Sequence, residues 1–178
     1  KYDESISVYD SLIELLEGEY GKGNRDVQDM MTNKYKILIQ LKDYKRSIEI
    51  IEDILDILSQ IDLSALDQSV SLEYKQLKSM HRSQLAYCYY KLDNIQEFSK
   101  IYKQLFGIMY TIFNRTENGL YDLQINYNEL LLLNSSTHVQ GYNGLVDIIT
   151  NIVRFYEGEE HKDNKEILLE KVFNILYN

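Results

Sequence analysis

The dominant pattern in the chain is the recurrence of apolar residues at spacings of three and four, which predicts helices with one buried face. About eight such segments follow one another with short connections, as in antiparallel helical hairpins. The predicted helices are Tyr2–Glu17, a segment from Asn24 to the break at Lys42–Asp43, one from that break to Leu58, one from Asp67 to about Lys91, one from Asp93–Asn94 to the loop Asn114–Gly119, then Leu120–Asn134, Leu145–Glu157 and Asn164–Tyr177.

The segment Leu120–Asn134 fits two patterns. A strand would use the alternating residues Tyr121, Leu123, Ile125 and Tyr127. A helix would use Leu120, Leu123, Tyr127, Leu130, Leu131 and Asn134. We favour the helix because its set of positions is longer and no nearby segment offers a pairing strand. The residues that follow, Ser135–Gly144, are predicted to be a loop.

The composition supports a helical protein and narrows the choice of partner. The 178 residues include no proline, which costs about 3 kcal/mol inside a helix. The net charge of −9 argues against a nucleic-acid backbone as the main partner, because that role needs clustered cations. The longest apolar run, Leu85–Tyr90, is far shorter than the roughly 18 residues of a membrane span. Because Lys1 already lies within an amphipathic pattern, we expect the sequence to be a piece of a longer protein.

Two segments have the same layout and indicate an internal repeat. Leu38–Leu55 and Tyr89–Phe106 each contain a helix end, a polar turn with Asp, and a second helix. The matched positions are Tyr44 with Ile95, Ser47 with Phe98, and Ile51 with Tyr102. The helix before the second turn contains a small residue, Ala86, followed three positions later by an aromatic residue, Tyr89.

This layout resembles the tetratricopeptide repeat (TPR), a helix–turn–helix unit. The resemblance covers Lys1 to Phe113. Three departures mark it as degenerate: Phe98 stands where the family usually has Ala, the closing Pro is absent, and the repeats are longer than the usual ~34 residues. The resemblance implies an all-α fold in which hairpins stack as a right-handed superhelix with a concave groove. Residues 1–113 would form TPR-like hairpins, and residues 114–178 would complete the same array as a single domain.

The resemblance also implies which residues line the groove, namely those at the groove-facing positions on the first helix of each hairpin. In the first complete hairpin these are Asp29, Thr32, Lys36, Ile39 and Gln40. In the next they are Met80, Ser83, Tyr87, Tyr90 and Lys91. A mixture of aromatic and polar side chains suits the recognition of a peptide, but the same residues could simply be the less buried side of two helices.

The residues that could carry catalysis or bind a metal are scattered. His81, His138 and His161 are far apart in the sequence, and none belongs to a two-His helical motif. Cys88 lies in a tyrosine-rich helix and is expected to be a buried structural thiol. We therefore expect no enzymatic activity, no metal and no cofactor.

The sequence thus predicts a non-enzymatic module that binds a protein or peptide, within a larger regulatory or sensor protein. The richness in Ile, Lys, Asn and Tyr is typical of AT-rich genomes and favours a bacterial source. A cytoplasmic location is favoured, and a periplasmic sensor domain is the other option. Two further hypotheses stay open: a spacer or scaffold that self-associates, for example as a homodimer, and, more remotely, a helical enzyme.

Overall fold

The computed structural model describes residues 2–112, 118–155 and 162–177. Within these ranges the chain forms eight α-helices and one short 3-10 helix, with no strand, so the predicted all-α class is confirmed. The segment predicted to be a helix from Leu120 is likewise helical, as far as Leu133. The α-helices are α1 (Tyr2–Tyr20), α2 (Arg25–Gln40), α3 (Tyr44–Ser59), α4 (Gln68–Lys91), α5 (Ile95–Ile112), α6 (Asn118–Leu133), α7 (His138–Phe155) and α8 (Lys162–Tyr177), and the 3-10 helix is Leu63–Ala65.

The chain divides into two compact units, Lys1–Ile108 and Met109–Asn178. In the first unit, α1 packs on α2, α2 on α3, and α3 on α4. In the second unit, α7 packs on both α6 and α8, and α6 also packs on α8. The predicted boundary at residue 113, and the joining of both parts into one array, stay predictions.

The helices begin and end where local chemistry satisfies their terminal backbone groups. Asn24 caps α2, because its side-chain oxygen accepts a hydrogen bond from the backbone N–H of Asp26 at 2.7 Å. Gly21 ends α1 with a φ of +81°, a conformation that glycine adopts without steric cost. Gly18 lies inside α1, before its end at Tyr20.

The turns that join α2 to α3 and α4 to α5 have the same hydrogen-bonding pattern. In the first turn, the N–H of Asp43 donates to the carbonyl of Leu38 at 2.9 Å. In the second, the N–H of Asn94 donates to the carbonyl of Tyr89 at the same distance. The residue before each donor has a left-handed backbone conformation, with φ of 62° at Lys42 and 57° at Asp93. Both turns are therefore Schellman-type helix ends, and the repeat seen in the sequence extends to the backbone.

Replacing Lys42 by glycine is expected to stabilise the first unit. Lys42 is exposed, and a left-handed conformation costs a residue with a Cβ atom about 1–2 kcal/mol. Lys42→Gly should raise the free energy of unfolding, measured by denaturant titration, by about 1 kcal/mol. Lys103→Gly, at an exposed position inside α5, should instead lower it by about 1 kcal/mol. Equal losses in both variants would contradict this account of the turn.

The start of α7 corrects one prediction. The segment Ser135–Gly144 is not a loop throughout, since α7 begins at His138. The actual turn is short and polar: the side chain of Asn134 accepts a hydrogen bond from the N–H of Ser136 at 3.0 Å. Gly141 and Gly144 lie inside α7 rather than in a turn.

These two glycines allow α6 and α7 to pack closely. A Cβ atom on Gly141 would lie 2.6 Å from the carbonyl oxygen of Asn128 and 2.7 Å from the Cα atom of Leu132, both on α6. A Cβ atom on Gly144 would overlap the side-chain amide of Asn128. The core of the second unit forms around this contact, with Ile125, Leu145 and Ile152 fully buried.

The exchange Gly141→Ala tests this close contact. Because the added methyl group would meet backbone atoms, we expect the variant to lose about 1–3 kcal/mol of unfolding free energy. The matched control is Gly107→Ala in α5, where nothing lies within 4 Å of a Cβ atom. That exchange should add about 0.5–1 kcal/mol, because alanine is the better helix former. A Gly141→Ala variant as stable as the wild type would exclude the proposed contact.

Candidate functional site

Helices α2 and α3 form one hairpin, and α4 and α5 form the next. The first helices of these two hairpins meet where Tyr35 of α2 contacts His81 of α4. The Tyr35 hydroxyl lies 3.2 Å from Nδ1 of His81, and the two rings are edge to face with centroids 5.8 Å apart. Both side chains are almost completely buried. Nearer the helix N-termini, Arg25 and Gln28 of α2 line a pocket with residues 70–80 of α4. The contacts therefore advance along both helices in the same direction, so α2 and α4 run parallel.

This junction is uncharged at neutral pH. Burial, with a smaller effect from the nearby charge of Lys36, lowers the pKa of His81 to about 4. Burial also raises the pKa of Tyr35 to about 12 and that of the Cys88 thiol to about 11. Cys88 is fully buried, as its place in the sequence suggested. A neutral imidazole beside a protonated phenol satisfies both polar groups and holds the two helices together.

The predicted groove residues of α2 differ in exposure. Asp29, Lys36 and Gln40 are exposed, and Ile39 is half-buried. Thr32 is only 9% exposed, so its side chain is not available at the surface. The reason is helical spacing: Thr32 lies with Gln28 and Tyr35 on the buried stripe of α2.

The predicted residues of α4 follow one side of the helix. Met80, Ser83, Tyr87 and Lys91 are separated by three or four residues and therefore lie above one another. Met80 and Lys91 are exposed, whereas Ser83 and Tyr87 are half-buried. Tyr90 contacts α5, with its ring centroid 5.4 Å from that of Phe98.

At the end of this stripe, Lys91 lies over two aromatic rings. Its ammonium nitrogen is 5.3 Å from the ring centroid of Tyr87 and 5.6 Å from that of Tyr90. Tyr87 in turn packs edge to face on Tyr44, at 6.3 Å between centroids. The cation–π contacts restrain a side chain that is otherwise mobile in solvent. Tyr44, which was not among the predicted groove residues, thus belongs to this cluster; its position directly after the repeated turn was the available signal.

A pocket of about 710 Å³ lies at the other end of the same two helices. Gly23, Arg25 and Gln28 line it from α2 and the turn before it. The α4 side consists of Val70, Glu73, Tyr74, Gln76, Leu77 and Met80. Of these lining residues, only Met80 was predicted. The others could not be found from spacing, because the relative register of two helices is not encoded in either one alone.

The described residues contain neither a cluster suited to a metal ion nor a membrane-spanning helix. No group of three or more His, Cys, Asp or Glu side chains there could hold a metal ion. His138 contacts the carbonyl oxygen of Leu132 through Nδ1 at 2.7 Å, and His161 lies outside the described residues. Nor is any helix of this part both long and apolar enough to cross a membrane.

The comparison with known proteins identifies the fold. No protein-family model matches the sequence, and no curated protein matches it. Among solved structures, a crystal structure from Podospora anserina, described as a kinesin light chain with nearly identical TPR-like repeats, is similar with a TM-score of 0.63. The match covers 98% of this chain and 86% of that one at 11% sequence identity. The fold is TPR-like. At this level of identity the similarity concerns the fold alone.

Because His81 is buried in the TPR-like fold, we expect the free energy of unfolding to depend on pH. Its folded pKa of about 4 lies below the unfolded value of about 6.5, so the unfolded chain binds more protons between these pH values. Stability is therefore fully present above pH 6.5 and falls as the pH drops towards 4. Between pH 7.5 and 5.5 we expect a loss of about 1 kcal/mol from this residue.

The measurement is the unfolding free energy of the wild type and of His81→Gln at several pH values. Glutamine keeps a polar group that can reach Tyr35 but does not titrate. The wild type and the variant share all their carboxylates, so the contribution of these groups to the pH dependence of stability cancels in the comparison. The wild type should lose more stability than the variant over this range. Parallel pH profiles would show that His81 is not buried in its neutral form.

Proposed function

We propose that this chain is a non-enzymatic module that binds a protein or peptide along the exposed side of α2 and α4. The observation that carries the proposal is the pair of aligned stripes on two parallel, adjacent helices. One stripe consists of Asp29, Lys36 and Gln40, and the other of Met80, Ser83, Tyr87 and Lys91. Together they offer apolar, aromatic and charged groups, a combination that suits specific recognition of a polypeptide.

The chemistry of these residues supports binding rather than catalysis. Lys91 is held over the rings of Tyr87 and Tyr90, so part of the entropy cost of ordering this side chain is already met before a partner binds. His81, Tyr35 and Cys88, whose pKa values are shifted by burial, are enclosed in the protein and held in their neutral forms. We further propose, from the composition, that the module belongs to a larger bacterial regulatory or sensor protein.

The proposal is tested by capture of partners from a lysate of the source organism. The groove variant combines Lys36→Ala, Tyr87→Ala and Lys91→Ala. The matched control combines Lys45→Ala, Lys103→Ala and Tyr20→Ala, which removes the same residue types from exposed positions on α3, α5 and α1. Circular dichroism confirms that both are folded. We expect a partner that the wild type and the control retain and the groove variant loses; retention by all three would place binding elsewhere.

A second candidate function is self-association, favoured by an apolar stripe on α7. Val139, Tyr142, Val146 and Val153 are all exposed and lie at helical spacing on one side of the helix. Exposed apolar stripes of this kind often mark protein interfaces. Sedimentation equilibrium separates the two functions, since a scaffold would form dimers without any ligand.

A further inference from the structure

The pocket between the N-terminal parts of α2 and α4 has the composition of a site for an apolar side chain. Its volume of about 710 Å³ lies within the range of roughly 300–1,000 Å³ that is common for ligand sites. Val70 and Met80 contribute apolar surface that is 37% and 39% exposed, and Leu77 and Tyr74 lie half-buried between them. Filling the pocket with an apolar group would remove this surface from water.

Two opposite charges border this apolar surface. Arg25 contributes a guanidinium group from α2, and Glu73 contributes a carboxylate from α4. Both residues are exposed, and neither forms an ion pair with any residue that the structure describes. A ligand with an acidic group near Arg25 and a basic group near Glu73 would therefore be complementary in charge.

The pocket continues into the exposed side of α4. Glu73, Gln76, Met80, Ser83 and Tyr87 succeed one another at spacings of three and four, so one face of the helix runs from the pocket to the Tyr87–Lys91 cluster. Several turns of one helix face offer more length than a small molecule needs, and they suit an elongated ligand. This continuity favours a polypeptide whose remaining residues extend along α4.

We infer that this pocket is the anchor site for the partner peptide: it takes one large aromatic or aliphatic side chain, flanked in the peptide by an acidic and a basic residue that pair with Arg25 and Glu73. The inference rests on the proposed function and adds to it the chemical class of the bound segment. The anchor contributes most of the affinity by apolar burial, and the two exposed charge pairs mainly set orientation, since solvent-exposed ion pairs contribute little to affinity.

The test uses methyl NMR of the methionines, because Met80 lines the pocket and Met31 is a buried internal reference. The probe is a blocked pentapeptide, Glu-Gly-Phe-Gly-Lys, and the control peptide has glycine in place of phenylalanine. We expect millimolar probe to shift the Met80 signal in a saturable manner while the Met31 signal stays in place. The control peptide should bind about tenfold more weakly or less.

A matched pair of variants locates the effect. Val70→Lys places a charge in the pocket and should weaken binding of the probe about tenfold, whereas Val8→Lys, at an exposed position on α1, should leave the binding unchanged. Arg25→Glu should weaken binding about threefold. An unchanged Met80 signal, equal binding of the two peptides, or equal effects of both valine variants would overturn the inference.

This result is separable from that of the proposed function. If the capture experiment yields a partner that depends on Lys36, Tyr87 and Lys91 while the probe leaves Met80 unaffected, the anchor pocket is wrong and the binding module stands. If the probe binds at Met80 but the groove variant loses no partner, the pocket stands and the face assigned to partner binding is wrong.

Discussion

The contact between Tyr35 and His81 determines how the two hairpins of the first unit lie against each other. It joins α2 to α4 through a hydrogen-bonding pair that is shielded from solvent, and it fixes the register between them. That register brings the N-terminal end of α2 beside Val70–Met80 and the start of α3 beside Tyr87. The pocket, the aromatic cluster and the aligned exposed stripes all depend on it. A buried polar pair also opposes sliding, because any shift of one helix would leave a phenol or an imidazole without its partner.

Much of the fold could be predicted from the sequence because helices are determined locally. Apolar spacing indicated every helix, and Asn24, where the second helix was predicted to begin, is the residue that caps α2. The start of α7 was missed for a physical reason: glycine usually signals a turn, but Gly141 is needed where a neighbouring backbone approaches. In the candidate site, the residues predicted on α2 and α4 came from the resemblance to the tetratricopeptide repeat. The burial of Thr32 and the position of Arg25 and Glu73 at one pocket depend on contacts between helices, which spacing within one helix does not specify.

The two hairpins have very different residues at one matched core position, and the surroundings of that position differ accordingly. Ser47 and Phe98 occupy the same position in the two hairpins, and both are fully buried. Ser47 donates a hydrogen bond to the carbonyl of Asp43 at 2.8 Å, so its hydroxyl is satisfied within its own helix. Phe98 instead packs between Tyr90 and Tyr102, at 5.4 and 4.9 Å between ring centroids. The feature that the two hairpins share is thus the backbone turn, while the volume of the side chain at this position differs widely between them.

The burial of Cys88 has a practical consequence for spectroscopy. It is the chain's single cysteine, and its thiol is both inaccessible and protonated at neutral pH. Maleimide reagents require an accessible thiolate. Two cysteines introduced at exposed positions, one on α2 and one on α4, would therefore take up fluorophores or spin labels selectively, without removal of the native residue. Distances between α2 and α4 could then be followed in solution with the core of the protein left intact.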